Sequence, residues 1–381
     1  MKKICYFFTI LILSLLLILV CFIKSRQNQS PESTDSPLDS LSPRSSEAAI
    51  EVAAGANGEY IKWVDFNVTY EALCTAYDLD VNSYDSPVRL NWIELLAYVG
   101  AKEGGSFSKK SVSLLQKLAD ELSQGKATLE ELTKDMKYYK YYYEAYEAVL
   151  GGMVGEYEIE QETENGAKQW KKVYGLKAFS PIAKGFEYSD YDDFGSSRSY
   201  GYKRPHLGHD MMGQIGTPII CVESGYVEAL GWNQYGGWRI GIRSFDGKRY
   251  YYYAHLRQNF PYALNLEEGS VVTAGDVIGY MGHTGYSTKE NTNNIETVHL
   301  HWGLQLIFDE SQKEGNNEIW IDCYALTRFL YKNRSLTEKN QETKEWFRHF
   351  NMKDPAVEEY KQRPADTPPS APSAPADPSQ G

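Results

Sequence analysis

Cysteine is scarce: five in 381 residues, at Cys5, Cys21, Cys74, Cys221 and Cys323, with no two in a CxxC spacing. That argues against a disulfide framework and a cysteine-based zinc finger. Basic charge is also short. Lys and Arg number 39 against 51 Asp and Glu, a net charge of −12 at pH 7. Without clustered cations to neutralise phosphates, nucleic acid is not an expected partner. Histidine is as rare as methionine, seven residues in all, yet six of the seven fall between His206 and His301. The chain is not short of apolar residues. At 42% hydrophobic and 24% charged, it has enough apolar surface for packed cores, in about two to three domains at this length.

Only one long apolar run occurs. Ile4 to Ile23 carries no charge over twenty positions, with Lys2 and Lys3 before it and Lys24 and Arg26 after it. As a helix it spans about 30 Å, the thickness of a bilayer's hydrocarbon core. A cleaved signal peptide has a shorter apolar region and a small-residue cleavage site, and no A-x-A pattern follows Ile23. Residues 1–26 therefore read as a single-pass signal anchor with the rest of the chain on the extracytoplasmic side of the cell membrane. Residues 27–58 and 364–381 are rich in Ser, Pro, Ala, Asp and Glu, and read as disordered linker and tail.

Residues 59–165 read as a helical module. Leu114, Leu115, Leu118 and Leu122 recur at helical spacing before Gly125, and Thr128 with Glu131 forms a T-x-x-E capping box. From Leu129 one apolar face continues through Tyr139, Tyr143, Tyr146 and Leu150 to Gly151-Gly152. The tyrosine cluster 138–143 fits a packed helix face with hydroxyls at its wet edge better than a sugar-stacking platform. Glu94 and Glu103 have no paired carboxylate at a readable position and read as solvated charges.

The histidine-rich region is strand-like. Segments 222–230, 238–244, 248–255, 271–281 and 299–308 alternate with glycine-containing turns, among them Asp246-Gly247, a hairpin signal. Strands so spaced, with no helices between them, indicate an antiparallel sheet. In His206-Leu207-Gly208-His209-Asp210, period-two alternation sends His206 and Asp210 to one face across Gly208. In His299-Leu300-His301-Trp302, both imidazoles share one face while Leu300, Trp302, Leu304 and Leu306 take the other. His255 closes the strand after the Asp-Gly turn. Together the segments offer two ligands from the first, one from H-x-H, and two histidines to spare. Three protein ligands with an open vertex characterise a catalytic zinc. Spare imidazoles with an ordinary pKa near 6.5 suit proton transfer.

At these residues the chain resembles the lysostaphin/LytM-type zinc metallopeptidases, whose domain carries H-x-x-x-D followed by H-x-H. Further matches, in the same order, are Tyr235-Gly236-Gly237, Tyr253-Ala254-His255-Leu256, Gly275-Asp276-Val277-Ile278-Gly279 and Thr284-Gly285. The resemblance covers about residues 200–310. It implies one Zn2+ per chain held by His206, Asp210 and His301, with His255 and His299 as non-ligand catalytic histidines. It implies a small antiparallel β metallopeptidase domain, placed over 170–335; with the transmembrane helix and helical module read above, and a helical extension over 336–363, the chain as a whole is expected to be α+β. The implied activity is endopeptidase hydrolysis of peptidoglycan stem peptides or cross-bridges, at a membrane reached through the N-terminal helix. The alternative is a non-catalytic or latent cell-wall-binding scaffold of the same fold. Lys289 to Val298 is longer than the family's short link and is expected to edge the substrate groove. His209 has the wrong parity for the metal face and reads as structural; His283 reads as a turn residue. Cys221 and Cys323 read as core residues outside the site.

Overall fold

The structure is a computed structural model that describes residues 60–363 apart from 201 and 314–316. The expected membrane helix within 1–26, the linker 27–58 and the tail 364–381 lie outside the described residues. Among the described residues, no helix is long and apolar enough to cross a membrane.

Five helices come first: α1 (Tyr70–Asn82), α2 (Trp92–Glu103), α3 (Lys109–Ser123), α4 (Leu129–Thr133) and α5 (Tyr139–Leu150). Local signals set their ends. Thr69, Asn91 and Ser108 cap α1, α2 and α3 through side-chain oxygens that accept backbone N–H groups. The Thr128–Glu131 capping box forms as expected. The apolar face running on from it, however, does not make one helix. It breaks after Thr133 and resumes at Tyr139, where Tyr138 starts α5 without a side-chain cap. Central α2 is apolar on nearly every side and buried from Leu95 to Gly100. Tyr142 and Tyr146 sit inside the core, not at a wet edge, and Tyr146 meets Phe66 edge-on at 5.6 Å.

The rest is β-rich: β1 (Val154–Glu162), β2 (Lys168–Leu176), β3 (Ser189–Asp190), β4 (Ser197–Tyr200), β5 (Tyr202–Pro205), β6 (His209–Met212), β7 (Pro218–Ile220), β8 (Gly225–Asn233) and β9 (Gly237–Ser244). Then follow β10 (Arg249–Ala254), β11 (Val271–Val272), β12 (Val277–Tyr280), β13 (His299–Leu306) and β14 (Ile319–Trp320). The helix α6 (Tyr324–Leu330) precedes β15 (Thr337–Lys339), β16 (Trp346–Arg348), β17 (Met352–Lys353) and α7 (Pro355–Gln362). The main sheet is antiparallel, in the order β11-β8-β9-β10-β13-β6-β3 with β14 on β13. The expected strand 271–281 is two, split by a turn with Gly275 at φ 90°; β11 pairs with β8 and β12 with β7.

Two boundaries move. The helical module ends at Leu150, not near 165, because β1 and β2 form a long hairpin that β17 joins. The expected helical extension over 336–363 is helical only over the eight residues of α7; before it come a β15–β16 hairpin and β17. Asp354-Pro355 explains the late start. Proline fits the first helical turn, and the Asp354 carboxylate accepts the Ala356 N–H while holding Lys177 Nζ at 2.8 Å and the Ser224 hydroxyl at 2.7 Å.

Helices and sheet share one core. Phe329 of α6 packs against Tyr77 and Trp92 of the helical module at 5.5 and 5.7 Å. At the other end, buried Arg249 donates to the Ala148 and Glu147 carbonyls at 3.0 and 3.3 Å, satisfying groups that the end of α5 leaves free. Its remaining donors reach Glu223 at 2.7 and 3.1 Å and Asp246 at 2.9 Å. Gly152, at φ 77°, admits this cluster: a Cβ there would lie 2.2 Å from the Glu223 carboxylate.

Candidate metal centre

The sheet register builds the centre. His301 on β13 lies directly opposite Asp210 on β6, and its neighbour Trp302 opposite His209. Leu300, Trp302, Leu304 and Leu306 are fully buried on the core face, so His299 and His301 are turned toward the other face, as the alternation predicts. His206 ends the β4–β5 hairpin and folds back onto Asp210. Its Nε2 lies 3.0 Å from Asp210 Oδ1 and 3.1 Å from His301 Nδ1, and His301 Nδ1 lies 2.9 Å from Asp210 Oδ1. The three residues form a cluster able to hold a metal ion. Gly208 sits against the His301 ring. Its missing Cβ would stand 2.6 Å from the His301 ring, so the glycine makes space for a ligand.

The donor chemistry fits a divalent cation. Ligands at 2.0–2.1 Å in a tetrahedron stand roughly 3.3 Å apart, close to the spacings here. Two imidazole nitrogens facing one carboxylate oxygen also need a shared positive charge. His206 Nδ1 is 3.0 Å from Asp193 Oδ1, and donating to it leaves Nε2 free to ligate. Burial by itself would raise the Asp210 carboxyl, but hydrogen bonds from His206 and His301 outweigh it and hold the group well below the usual carboxylate range. Burial likewise opposes charge on both imidazoles. For His206 the carboxylates of Asp210 and Asp193 prevail and its pKa rises; for His301 burial prevails, with help from His206 and His299, and its pKa falls.

His255 and His299 stand beside the cluster. Their ring centroids are 4.6 Å apart, and His255 is 5.9 Å from His301. Each ring is oriented by a carbonyl, His255 Nδ1 at 3.0 Å from Thr284 O and His299 Nδ1 at 2.8 Å from Thr297 O. A carbonyl only accepts, so both Nδ1 atoms carry hydrogen and both Nε2 atoms are left as acceptors. His299 Nε2 lies 3.8 Å from Asp210 Oδ1. Burial, and then the His299 and His301 imidazoles, push the His255 pKa well below 6.5. His255 has φ 61°, the left-handed region, and its N–H bonds Gly236 O at 2.7 Å. That strained conformation is held by the surrounding turns.

These side chains open into a groove of about 730 Å³. Its floor comes from aromatic rings laid over glycines. A Cβ on Gly241 would meet Tyr250, one on Gly303 would meet Trp320, and one on Gly236 would meet the Tyr252 hydroxyl. The polar segment 289–298 does not line this groove. It folds back instead, with Asn291 accepting from Trp238 Nε1 at 2.9 Å and from the Asn259 N–H at 2.8 Å. Tyr286, just before it, takes the groove position.

The remaining candidates separate cleanly. His209 is buried on the core side, 2.9 Å from Asp190 and edge-on to Tyr324; His283 bonds Ile295 O at 2.7 Å in a turn. Cys221 and Cys323 are fully buried. Glu94 is half-buried rather than solvated, and burial raises its pKa. Two residues of the centre were missed: Asp193, and Arg198, which pairs with Asp193 and reaches Asp210 Oδ2 at 3.1 Å. In the sequence Asp193 is one of several acids near 190, and nothing in its spacing marks it.

Residues 204–314 match the family model of Peptidase family M23. The chain is 33% identical over 160 residues to an L-Ala–D-Glu endopeptidase of Bacillus subtilis (strain 168), covering 42% of this chain and 47% of that one. It is 40% identical over 84 residues to lysostaphin of Staphylococcus simulans, covering 22% and 16% respectively. A solved structure from Ruminococcus gnavus ATCC 29149, of a protein provisionally described as a glycyl-glycine endopeptidase, is 26% identical. It aligns over 72% of this chain and 91% of that one with a TM-score of 0.45. The chain thus spans about half the length of the first of these curated relatives and less of the second. The match to Peptidase family M23 thus falls on residues 204–314, the segment that carries the His-Asp-His cluster.

Proposed function

We propose that this chain is a zinc metalloendopeptidase that hydrolyses peptide bonds in peptidoglycan peptides, with one Zn2+ held by His206, Asp210 and His301. The observation that supports this best is the triangle of ligand atoms at 2.9–3.1 Å, set in a groove with two further imidazoles at its edge. Bound there, zinc supplies a water of pKa near 7 and polarises the scissile carbonyl.

The chain's own residues do the rest. Asp193 fixes the His206 ring so that Nε2 faces the centre. His255, kept neutral by burial and its imidazole neighbours, offers Nε2 to take a proton from the attacking water and return it to the leaving amine. His299, whose Nε2 lies 3.8 Å from Asp210 Oδ1, offers a second imidazole at the edge of the centre to orient the attacking water. The Tyr252, Tyr250 and Trp320 floor gives an extended peptide a flat surface to lie on. The apolar segment 4–23 would hold the domain on the outer side of a membrane, with 27–58 as tether.

The competing reading is a latent or non-catalytic wall-binding scaffold, and Arg198 favours it, since its guanidinium competes for the Asp210 carboxylate. The full chain, loaded with zinc and incubated with purified peptidoglycan, separates the two. The endopeptidase reading predicts new amino termini within stem or bridge peptides by mass spectrometry, lost on chelation and reduced about 10²–10⁴-fold by His255→Ala. Intact peptides from the zinc-loaded wild type overturn it.

A further inference from the structure

The groove carries a charge of its own, opposite to that of the chain. Arg198, Arg204, Arg239 and Lys313 line it against Asp210 and Glu318, in a protein of net charge −12. Three of the four cations are engaged. Arg198 holds Asp193 and Asp210. Lys313 holds Glu228 at 2.9 Å. Arg204 lies over the Tyr235 and Tyr286 rings at 5.0 and 5.3 Å and donates to the Tyr286 hydroxyl. Arg239 is different. Among the described residues its guanidinium has no acidic partner, and its Nε is buried with no hydrogen-bond acceptor.

The register places it. Arg239 on β9 pairs with Gly231 on β8. One step beyond the Tyr253–Ile240 pair it falls level with Ala254, which itself pairs with His301. Asp210, His301, Ala254 and Arg239 therefore form one row across β6, β13, β10 and β9, on the groove face. Arg239 is two strands from His301, about 10 Å, or about three residues of extended peptide. Between them in the row stands Ala254, and the Tyr252 ring, 6.0 Å from the His301 ring, flanks it.

We propose that Arg239 forms a carboxylate-binding subsite of the groove, so that the peptide it accepts carries a free carboxylate within two to three residues of the scissile bond. The proposal rests on the endopeptidase reading above and names its substrate class: acidic stem-type peptide rather than an uncharged oligoglycine bridge. A guanidinium matches a carboxylate with two parallel hydrogen bonds, and among the groove cations Arg239 is the one whose buried Nε has no acceptor among the described residues. A site with a buried donor discriminates against ligands that leave it unpaired, because the donor then has neither water nor partner. Oligoglycine offers only backbone carbonyls, which cannot neutralise the charge.

The test is binding by calorimetry to the zinc-loaded full chain carrying His255→Ala, which slows consumption of the ligand. Four probes are compared: a stem tetrapeptide with both its glutamate α-carboxylate and its C-terminal carboxylate free, the same peptide with the first amidated, the same peptide with the second amidated, and pentaglycine capped as its C-terminal amide. One amide is expected to bind at least about tenfold more weakly than the free acid, which identifies the carboxylate read, and pentaglycine weaker still. Arg239→Gln should abolish that difference and Arg239→Lys should keep part of it. If both amides bind as tightly as the acid, or if the preference survives Arg239→Gln, the subsite is wrong. The acid-versus-amide comparison in the unaltered groove decides even where the Arg239→Gln chain folds poorly. Failure of the endopeptidase reading shows separately: the zinc-loaded wild type would leave the acid peptide uncut whether or not the binding preference holds.

Discussion

His301 and Asp210 are direct cross-strand partners on β13 and β6, with Nδ1 2.9 Å from Oδ1. A cross-strand pair fixes two of the proposed ligands by backbone hydrogen bonding alone. The third, His206, arrives on a hairpin end and needs separate support. The centre is thus rigid on one side and adjustable on the other, and the expected effects of substitution divide accordingly.

Gly208→Ala tests the rigid side. The new Cβ would lie 2.6 Å from the His301 ring and 2.9 Å from Trp302 O, and the second is backbone that cannot swing away. We expect a stability loss of about 1–3 kcal/mol by urea denaturation together with weakened metal binding. A variant as stable as wild type would show that the His301 ring has space it does not have here.

Asp193→Asn tests the adjustable side. The amide is nearly isosteric but cannot bind the His206 ring with a full charge, and both Arg198 and His206 lose their shared partner. Zinc affinity measured by chelator competition should fall about 10–100-fold while the fold is retained. Unchanged affinity would remove Asp193 from the centre.

The buried His255 imidazole predicts a pH dependence. Its folded pKa is depressed well below 6.5, mainly by burial. Between that value and about 6.5 the unfolded chain binds the proton and the folded chain does not. The stability it contributes is therefore complete above about pH 6.5 and is lost as the pH falls below it. Urea unfolding of the metal-free chain at several pH values should show a shallower loss below pH 6.5 for His255→Gln than for wild type. Parallel curves would contradict the assignment. Ring resonances should also keep the neutral, Nδ1-protonated pattern at pH 6.

Arg249→Leu tests the join between helices and sheet. It strips five hydrogen bonds and leaves Glu223 buried beside Tyr251 without its counter-charge. Removing one partner of a buried pair costs about 3–5 kcal/mol. The midpoint of urea unfolding should fall accordingly, with the helical and β regions losing structure together. Separate transitions would show that the shared core does not couple them.

The centre was legible in the sequence because strand alternation is a two-state signal. Once H-x-H and its apolar neighbours sit on a strand, the facing of His299 and His301 follows, and so does the exclusion of His209. Asp193 and Arg198 were not legible, since they reach the ligands through a hairpin whose fold-back no periodicity encodes. Segment 289–298 misled for a related reason. Polar composition marks it as a surface loop, but Asn291 spends its side chain on Trp238 and Asn259, which turns the loop away from the groove. The helical extension over 336–363 failed on short-range chemistry: Asp354-Pro355 starts a helix there, and the residues before it pair as strands. The Arg239 row depends on the pairing of four strands, which no single segment reveals.

The most direct measurement is zinc content per chain by atomic absorption, after dialysis against zinc-containing buffer and removal of excess metal. Wild type should hold one equivalent, His255→Ala should hold one, and His206→Ala and His301→Ala should hold essentially none. One equivalent retained by His301→Ala, or none in the wild type, would contradict the three-ligand centre on which the account stands.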